Sequence, residues 1–307
     1  MVLFSFRPPN ADYLGFPATT EGIVESACKA EEQDFDCCMV NDHILVQDVP
    51  DMVTYFANTY DPLMVLSYLA AKTSRIRLGT SVIIMPYRNP MNTAKMFSTL
   101  DQMSGGRAIA GVGAGGNELE YNALKVPFHE RGSRTNEYLR IWQACWAPGK
   151  TTFKGKYFEF EDMHVIPKPV QQPHVPIWVG GFSPGALRRA ARFADTWAPT
   201  PMALPDLLKN MAYLKEASNK IGRSEPPTTR MSFRVNFTEI TGNTHQEGQR
   251  PTGQGTPDQV IEDMLTYRRE AGLEAFQVNF NGSHSLQQLL DSMDLFTKVV
   301  RPAVEAG

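Results

Sequence analysis

The chain has 307 residues, 42% of them hydrophobic, and sets 30 basic against 33 acidic side chains for a formal charge of −3. With no long block of one sign, that balance excludes the electrostatic footprint of a nucleic-acid binder. The longest apolar stretch, near Leu63 to Ala71, is interrupted by Ser67 and is too short to span a bilayer, and no basic leader precedes Phe6, so a soluble cytoplasmic protein without a membrane partner is expected.

Eight short runs read as strands: Val2–Arg7, Cys37–Asp42, Ile76–Ile84, Ala108–Gly113, Pro176–Gly180, Ala194–Ala198, Ser232–Glu239 and Ala275–Phe280, each closed by Gly, Pro, Asn or Asp. Between them the apolar positions keep a helical period, as in Tyr138, Ile141, Trp142 and Cys145, then Leu204, Leu207, Leu208 and Met211, then Val260, Ile261, Met264 and Ala271. The clearest stripe is the last, Leu286, Leu289, Leu290, Met293, Phe296 and Val300. Asp61-Pro62, Asn89-Pro90, Ser183-Pro184 and Thr256-Pro257 each place a capping residue before a proline at the first helical position. This alternation predicts a (β/α)₈ TIM barrel forming one domain over 1–307, with its site at the C-terminal ends of the strands. Two stretches break the rhythm. Thr151 to Pro173 reads as a hairpin inserted before the fifth strand, turning at Lys154-Gly-Lys156, and Thr241 to Gly255 is a polar loop before the last β/α unit, read as surface loop ahead of lid.

Cys37 and Cys38 are neighbours in a strand and so face opposite ways; with Cys28 and Cys145 in helices, buried reduced thiols are expected. Asn281-Gly-Ser283 matches a glycosylation acceptor but reads as a turn. Tyr13, Phe16, Tyr55, Phe56, Tyr60 and Trp197 would line an apolar pocket or, the commoner fate of aromatics, fill the core.

Four segments carry groups suited to chemistry. Asn41-Asp42-His43 closes the second strand: His43 exchanges protons near neutrality, and Asp42 would hold it or contact substrate, the plainer alternative being a histidine satisfied by backbone. No metal is expected, because the first strand ends Phe6-Arg7 and the other histidines show no ligand spacing. Leu78-Gly-Thr-Ser-Val82 puts small residues where inward-facing bulk is usual, which signals a close ligand or a bulge. Gly111-Val-Gly-Ala-Gly-Gly116 formally satisfies G-x-G-x-x-G, but three β/α units precede it, so backbone lying flat against an extended ring explains it better than a pyrophosphate does. Ile177-Trp-Val-Gly-Gly-Phe-Ser183 runs straight into a helix, either as an anion site for one phosphate or as a turn capped by Ser183.

Taken together, Arg75-Ile-Arg-Leu-Gly-Thr-Ser-Val82 through Pro90, Leu100-Asp-Gln-Met-Ser-Gly-Gly-Arg107, Gly111-Val-Gly-Ala-Gly115, Glu130-Arg-Gly132, Trp178-Val-Gly-Gly181 with the Arg189 helix, Ala194-Asp-Thr-Trp197 and Gly255-Thr-Pro257 resemble the bacterial-luciferase-like family of flavin- and deazaflavin-dependent oxidoreductases. The resemblance implies a non-prolyl cis peptide at Ser81-Val82 under the cofactor ring, with Thr80 beside it, a turn of Gly113, Ala114 and Gly115 flanking the ring, and a phosphate site at Gly180, Gly181, Phe182 and Ser183. It makes His43 and Asp42 the catalytic pair and the cofactor reduced FMN or coenzyme F420. Two departures stand out: Ala114 occupies a place where luciferases often carry a phosphate-reaching arginine, and Gly116 one where sugar-phosphate dehydrogenase relatives carry an acid, with Glu118 a displaced candidate. The implied activity is oxidation of a small organic substrate, by O₂ insertion or hydride transfer, in a homodimer served in the oxygenase case by a separate flavin reductase. A nonenzymatic flavin-binding barrel and an NAD-dependent Rossmann dehydrogenase are the alternatives.

Overall fold

In the computed structural model, which describes residues 2–12, 15–245 and 248–307, strand and helix alternate from end to end. The first half runs β1 (Leu3–Phe6), α1 (Thr20–Glu32), β2 (Cys37–Val40), α2 (Pro50–Phe56), α3 (Pro62–Lys72), β3 (Arg77–Thr80), β4 (Ile83–Ile84), α4 (Pro90–Met103), β5 (Ala108–Gly113), α5 (Glu118–Ala123) and α6 (Arg131–Trp146). The hairpin β6 (Thr151–Lys154) and β7 (Glu159–Met163) follows, then β8 (Ile177–Gly180), α7 (Pro184–Phe193), β9 (Thr196–Ala198), α8 (Leu204–Lys220), β10 (Thr228–Thr229), β11 (Met231–Phe237), α9 (Thr238–Thr241), β12 (Gln254–Gly255), α10 (Pro257–Ala271), β13 (Ala275–Phe280), α11 (Leu286–Leu295) and α12 (Arg301–Ala306). The helix-entry chemistry is in place: Asp61, Asn89 and Ser183 accept from first-turn N–H groups, and Thr256 with Gln259 forms a reciprocal capping box.

The main sheet is curled and parallel, in the order β10-β9-β8-β5-β3-β2-β1-β13-β11-β12, with β4 on β5. Only Arg230 separates β10 from β11; its N–H bonds the Trp197 carbonyl at 2.9 Å, and the Ser232 N–H bonds Pro199 at 3.0 Å. The inserted hairpin is a separate antiparallel pair. Alternation along β2 sends Cys38 and Val40 outward into the large core beneath the helices. Cys37 and Met39 face inward and meet Ile109 and Trp178. Below them Arg230 stacks 4.9 Å over Trp178 and pairs with Asp36 through two hydrogen bonds of 2.9 and 2.7 Å. All four cysteines are free, and Cys28 is only half-buried.

The structure departs from the sequence reading at strand ends. The long third run is broken into β3 and β4 around a cis peptide at Ser81-Val82. The seventh run stops at Phe237, because Thr238 and Glu239 begin α9, which Gly242 ends at φ 74°. Of the polar stretch, Gln254 and Gly255 pair with Asn236 and Phe237, while Gln246 and Glu247 lie outside the described residues. Asn281 and Gly282 form a turn.

Candidate active site

Three residues follow β2 at the C-terminal edge of the sheet. Asn10 clamps the Asn41 backbone, donating from Nδ2 to its carbonyl at 2.9 Å and accepting its N–H at 3.2 Å. Asp42, 3% exposed, accepts the Ile84 N–H at 2.9 Å and two guanidinium hydrogen bonds from Arg88 at 2.7 and 2.9 Å. Arg88 continues to Asp61, the cap of α3, at 2.9 Å. Burial raises the Asp42 carboxyl above its ordinary range, with Arg88 opposing. The expectation that Asp42 holds His43 is therefore corrected: its oxygens tie the end of β2 to β4 and, through Arg88, to the start of α3.

Glu120 is the carboxylate that holds His43. Its Oε2 lies 3.1 Å from His43 Nδ1 and accepts the Tyr87 hydroxyl at 2.9 Å; its Oε1 accepts the Ile44 and Leu45 N–H groups at 2.7 and 3.1 Å. The Glu120 side chain is fully buried and that of His43 is 22% exposed. Burial works to raise the Glu120 carboxyl, but hydrogen bonds from His43, Leu45 and Ile44 outweigh it, and the group sits below the usual glutamate range. Burial and the Glu120 charge push the Tyr87 phenol up, so it stays a donor. Phe56 of α2 packs its ring 4.7 Å from the imidazole. With Nδ1 engaged, Nε2 is the proton site left to a reacting molecule. Glu120 escapes a sequence reading for a physical reason: it stands three residues after Asn117, which caps α5, and that spacing assigns an acid to its own helix end.

At the same edge of the sheet, β5 and β8 present glycines where side chains would collide with their neighbours. A Cβ on Gly113 would fall 2.6 Å from Val82 Cγ2, one on Gly180 2.9 Å from Val82 Cγ1, and one on Gly111 1.7 Å from the Thr80 carbonyl oxygen. Gly113 and Gly180 let β5 and β8 close around Val82, and Gly111 lets β5 approach the Thr80 backbone. Ser81, Val82, Gly113 and Gly180 are thus brought together, and Arg7 reaches the Ser81 carbonyl at 3.3 Å. Thr80 is fully buried and donates its hydroxyl to Gly111 at 2.6 Å, so its side chain serves the strand pair. The Ala114 carbonyl accepts the Tyr121 hydroxyl and Gly115 turns at φ 66°. In the next turn Gly181, at φ 89°, gives its carbonyl to Trp197 Nε1 at 2.8 Å; Phe182 is exposed, and Ser183 caps α7 through the Ala186 N–H at 3.2 Å. The start of α7 points its first N–H groups at this rim.

Of the aromatic candidates, Phe56 joins the site, Trp197 is buried, Phe16 and Tyr60 pack partly on the core, Tyr55 is exposed, and Tyr13 lies outside the described residues. The Rossmann alternative is overturned by topology: Gly111–Gly116 follows β5, in the middle of the curled sheet, after three earlier β/α units.

The sequence profile described as luciferase-like monooxygenase matches residues 1–252. An F420-dependent glucose-6-phosphate dehydrogenase of Kineococcus radiotolerans is 33% identical over 238 residues, spanning 74% of this chain and 68% of that one. Among solved structures, an F420-dependent secondary alcohol dehydrogenase in complex with an F420-acetone adduct superposes with TM-score 0.80 at 20% identity, covering 99% of both chains. The oxygenating constituent of 3,6-diketocamphane monooxygenase from Pseudomonas putida, in complex with FMN, does so with TM-score 0.75 at 17% identity, covering 98% of both. The structural likenesses concern the fold.

Proposed function

The chain belongs to the luciferase-like monooxygenase family, and from that premise we propose that it is an oxidoreductase working on a small organic substrate with coenzyme F420 or reduced FMN. The observation that carries this is His43, held at Nδ1 by buried Glu120 at the C-terminal edge of the sheet, where Gly113 and Gly180 also bring bare backbone against Val82 of the Ser81-Val82 peptide. The continuity of β10 into β11, with backbone bonds back to β9, supports a closed (β/α)₈ barrel, and one sheet sharing one large core supports a single domain. The residues present suit such a cofactor: Gly113 and Gly180 seat Val82 against bare backbone with no Cβ to displace it, and the glycine turn at Gly180-Gly181 leads straight into the N-terminus of α7. Ser81, Val82, Gly113, Ala114 and Gly115 would meet the ring, and Gly180, Gly181, Phe182 and Ser183 its phosphate. When bound, the cofactor supplies the redox step that no side chain here provides. His43 Nε2 holds or takes the accompanying proton, Glu120 fixes the tautomer and plane of the imidazole, and Phe56 shields one side of it.

A homodimer, a reductase partner in the FMN case and a cytoplasmic location belong to the same proposal. Among the described residues no helix is long and apolar enough to cross a membrane. Titration with F420 and with FMN, followed by quenching of cofactor fluorescence, assigns the cofactor. His43→Ala is expected to bind it with unchanged affinity and to lose turnover. Full turnover in that variant would remove the proton carrier, and a wild-type protein that binds the cofactor but turns over nothing would support the nonenzymatic alternative.

A further inference from the structure

Away from the mouth, α6, α7 and α8 enclose a groove of about 750 Å³ that opens beside Gly185 in the first turn of α7 and follows that helix down the outside of the sheet. Its lining is strongly basic: Arg140, Arg188, Arg189, Arg192 and Lys220 against one acid, Glu216, already paired with Lys220 at 2.6 Å. Arg188 and Arg192 are exposed, and Arg188 donates to the Tyr213 hydroxyl at 2.8 Å. Arg140 makes a long ion pair with Glu137, 3.7 Å, and lies 5.6 Å over the Phe153 ring. Arg189 carries the independent signal. It is 6% exposed, yet it donates to neutral oxygens, Asn136 Oδ1 at 2.8 Å and the Gly132 carbonyl at 3.1 Å, and burial pushes its guanidinium down to about 10. Among the described residues no carboxylate pairs with it. A buried cation balanced by neutral groups alone is costly, and an anion arriving in the groove would offset that cost.

We propose that this groove binds an acidic chain, specifically the oligoglutamyl tail by which a deazaflavin cofactor extends beyond its phosphate. The proposal rests on reading Gly180–Ser183 as the phosphate site, from which the groove continues along the ten residues of α7, about 15 Å. FMN ends at its phosphate and would have no tail to lay along α7, so the groove also bears on which cofactor the protein uses.

The test titrates the intact protein with deazaflavin carrying a single glutamyl unit and with a long-tailed form, at low and high salt, beside a fluorescent γ-glutamyl tetrapeptide that has no ring. The long tail is expected to bind about tenfold more tightly at low salt, with the advantage screened away at high salt. The double variant R188E/R192E should abolish that advantage and leave short-tail affinity unchanged, with its melting temperature as the control for folding. Equal affinities for both tails, or a loss shared by the short-tailed form, would overturn the proposal while leaving the cofactor reading intact. Failure of both deazaflavins to bind, with the tetrapeptide still captured by wild type and released by R188E/R192E, would overturn the deazaflavin as the groove's occupant and keep an acidic-chain site. If nothing binds, both fall.

Discussion

Replacing Glu120 by alanine withdraws one acceptor from four donors at once, and the surroundings of each donor set the size of the effect. The Ile44 and Leu45 N–H groups belong to an exposed segment, where water replaces the lost carboxylate at little cost. Tyr87 is 9% exposed, so its hydroxyl is stranded, at about 1–3 kcal/mol. The bond to His43 adds about 1.5–3 kcal/mol when the ring is charged. Removing a fully buried carboxylate returns part of this as relieved desolvation. The net expectation is a destabilisation of about 2–4 kcal/mol, read as a lower urea midpoint by tryptophan fluorescence. Glu120→Gln keeps one acceptor oxygen and should cost about 1–2 kcal/mol. In that variant turnover should fall further than cofactor affinity, because the imidazole loses its orienting charge. A Glu120→Ala protein within about 0.5 kcal/mol of wild type would refute this reasoning, since such a value marks a surface substitution.

The same group predicts an acid-labile increment of stability. A carboxyl depressed on folding stabilises fully above its unfolded value near about 4.3, and the contribution is lost as pH falls through the folded value, so the gap in urea midpoint between wild type and Glu120→Gln should narrow below that pH. A gap that stays constant down to acid would count against it. Arg88→Met leaves the buried Asp42 charge facing only the Ile84 N–H and should cost about 3–5 kcal/mol near neutrality. Because burial already raises Asp42, the loss should shrink in acid as the carboxyl protonates; equal losses at both pH values would contradict the assigned pairing. Gly113→Ala places a Cβ 2.6 Å from Val82 Cγ2, and the displaced Val82 should weaken cofactor binding about tenfold. Adding Val82→Ala should recover part of that affinity, and a single variant that binds like wild type would show that the ring does not lie against Val82.

Strand and helix order was legible in the sequence because each element answers to a local rule. Capping residues before prolines start α3, α4, α7 and α10, and short apolar runs, one closed by Gly113 and the other followed by Asn281, become β5 and β13 at the boundaries expected. The position of His43 after the second strand, and the crowding of glycines after the fourth and fifth, were likewise readable, since both are properties of residue type at a strand end. The partner of His43 was not. Asp42 is adjacent in the chain, but successive side chains at a strand end diverge, and the tertiary fold delivered it to Arg88, forty-six residues on. Glu120, seventy-seven residues from His43, meets it only because α5 lies against the segment His43–Leu45 that follows β2, a long-range encounter that no local pattern encodes. The groove beside Arg189 is partly of the same kind: Arg188, Arg189 and Arg192 share α7, but Arg140 of α6 and Lys220 of α8 join them only once those helices are side by side.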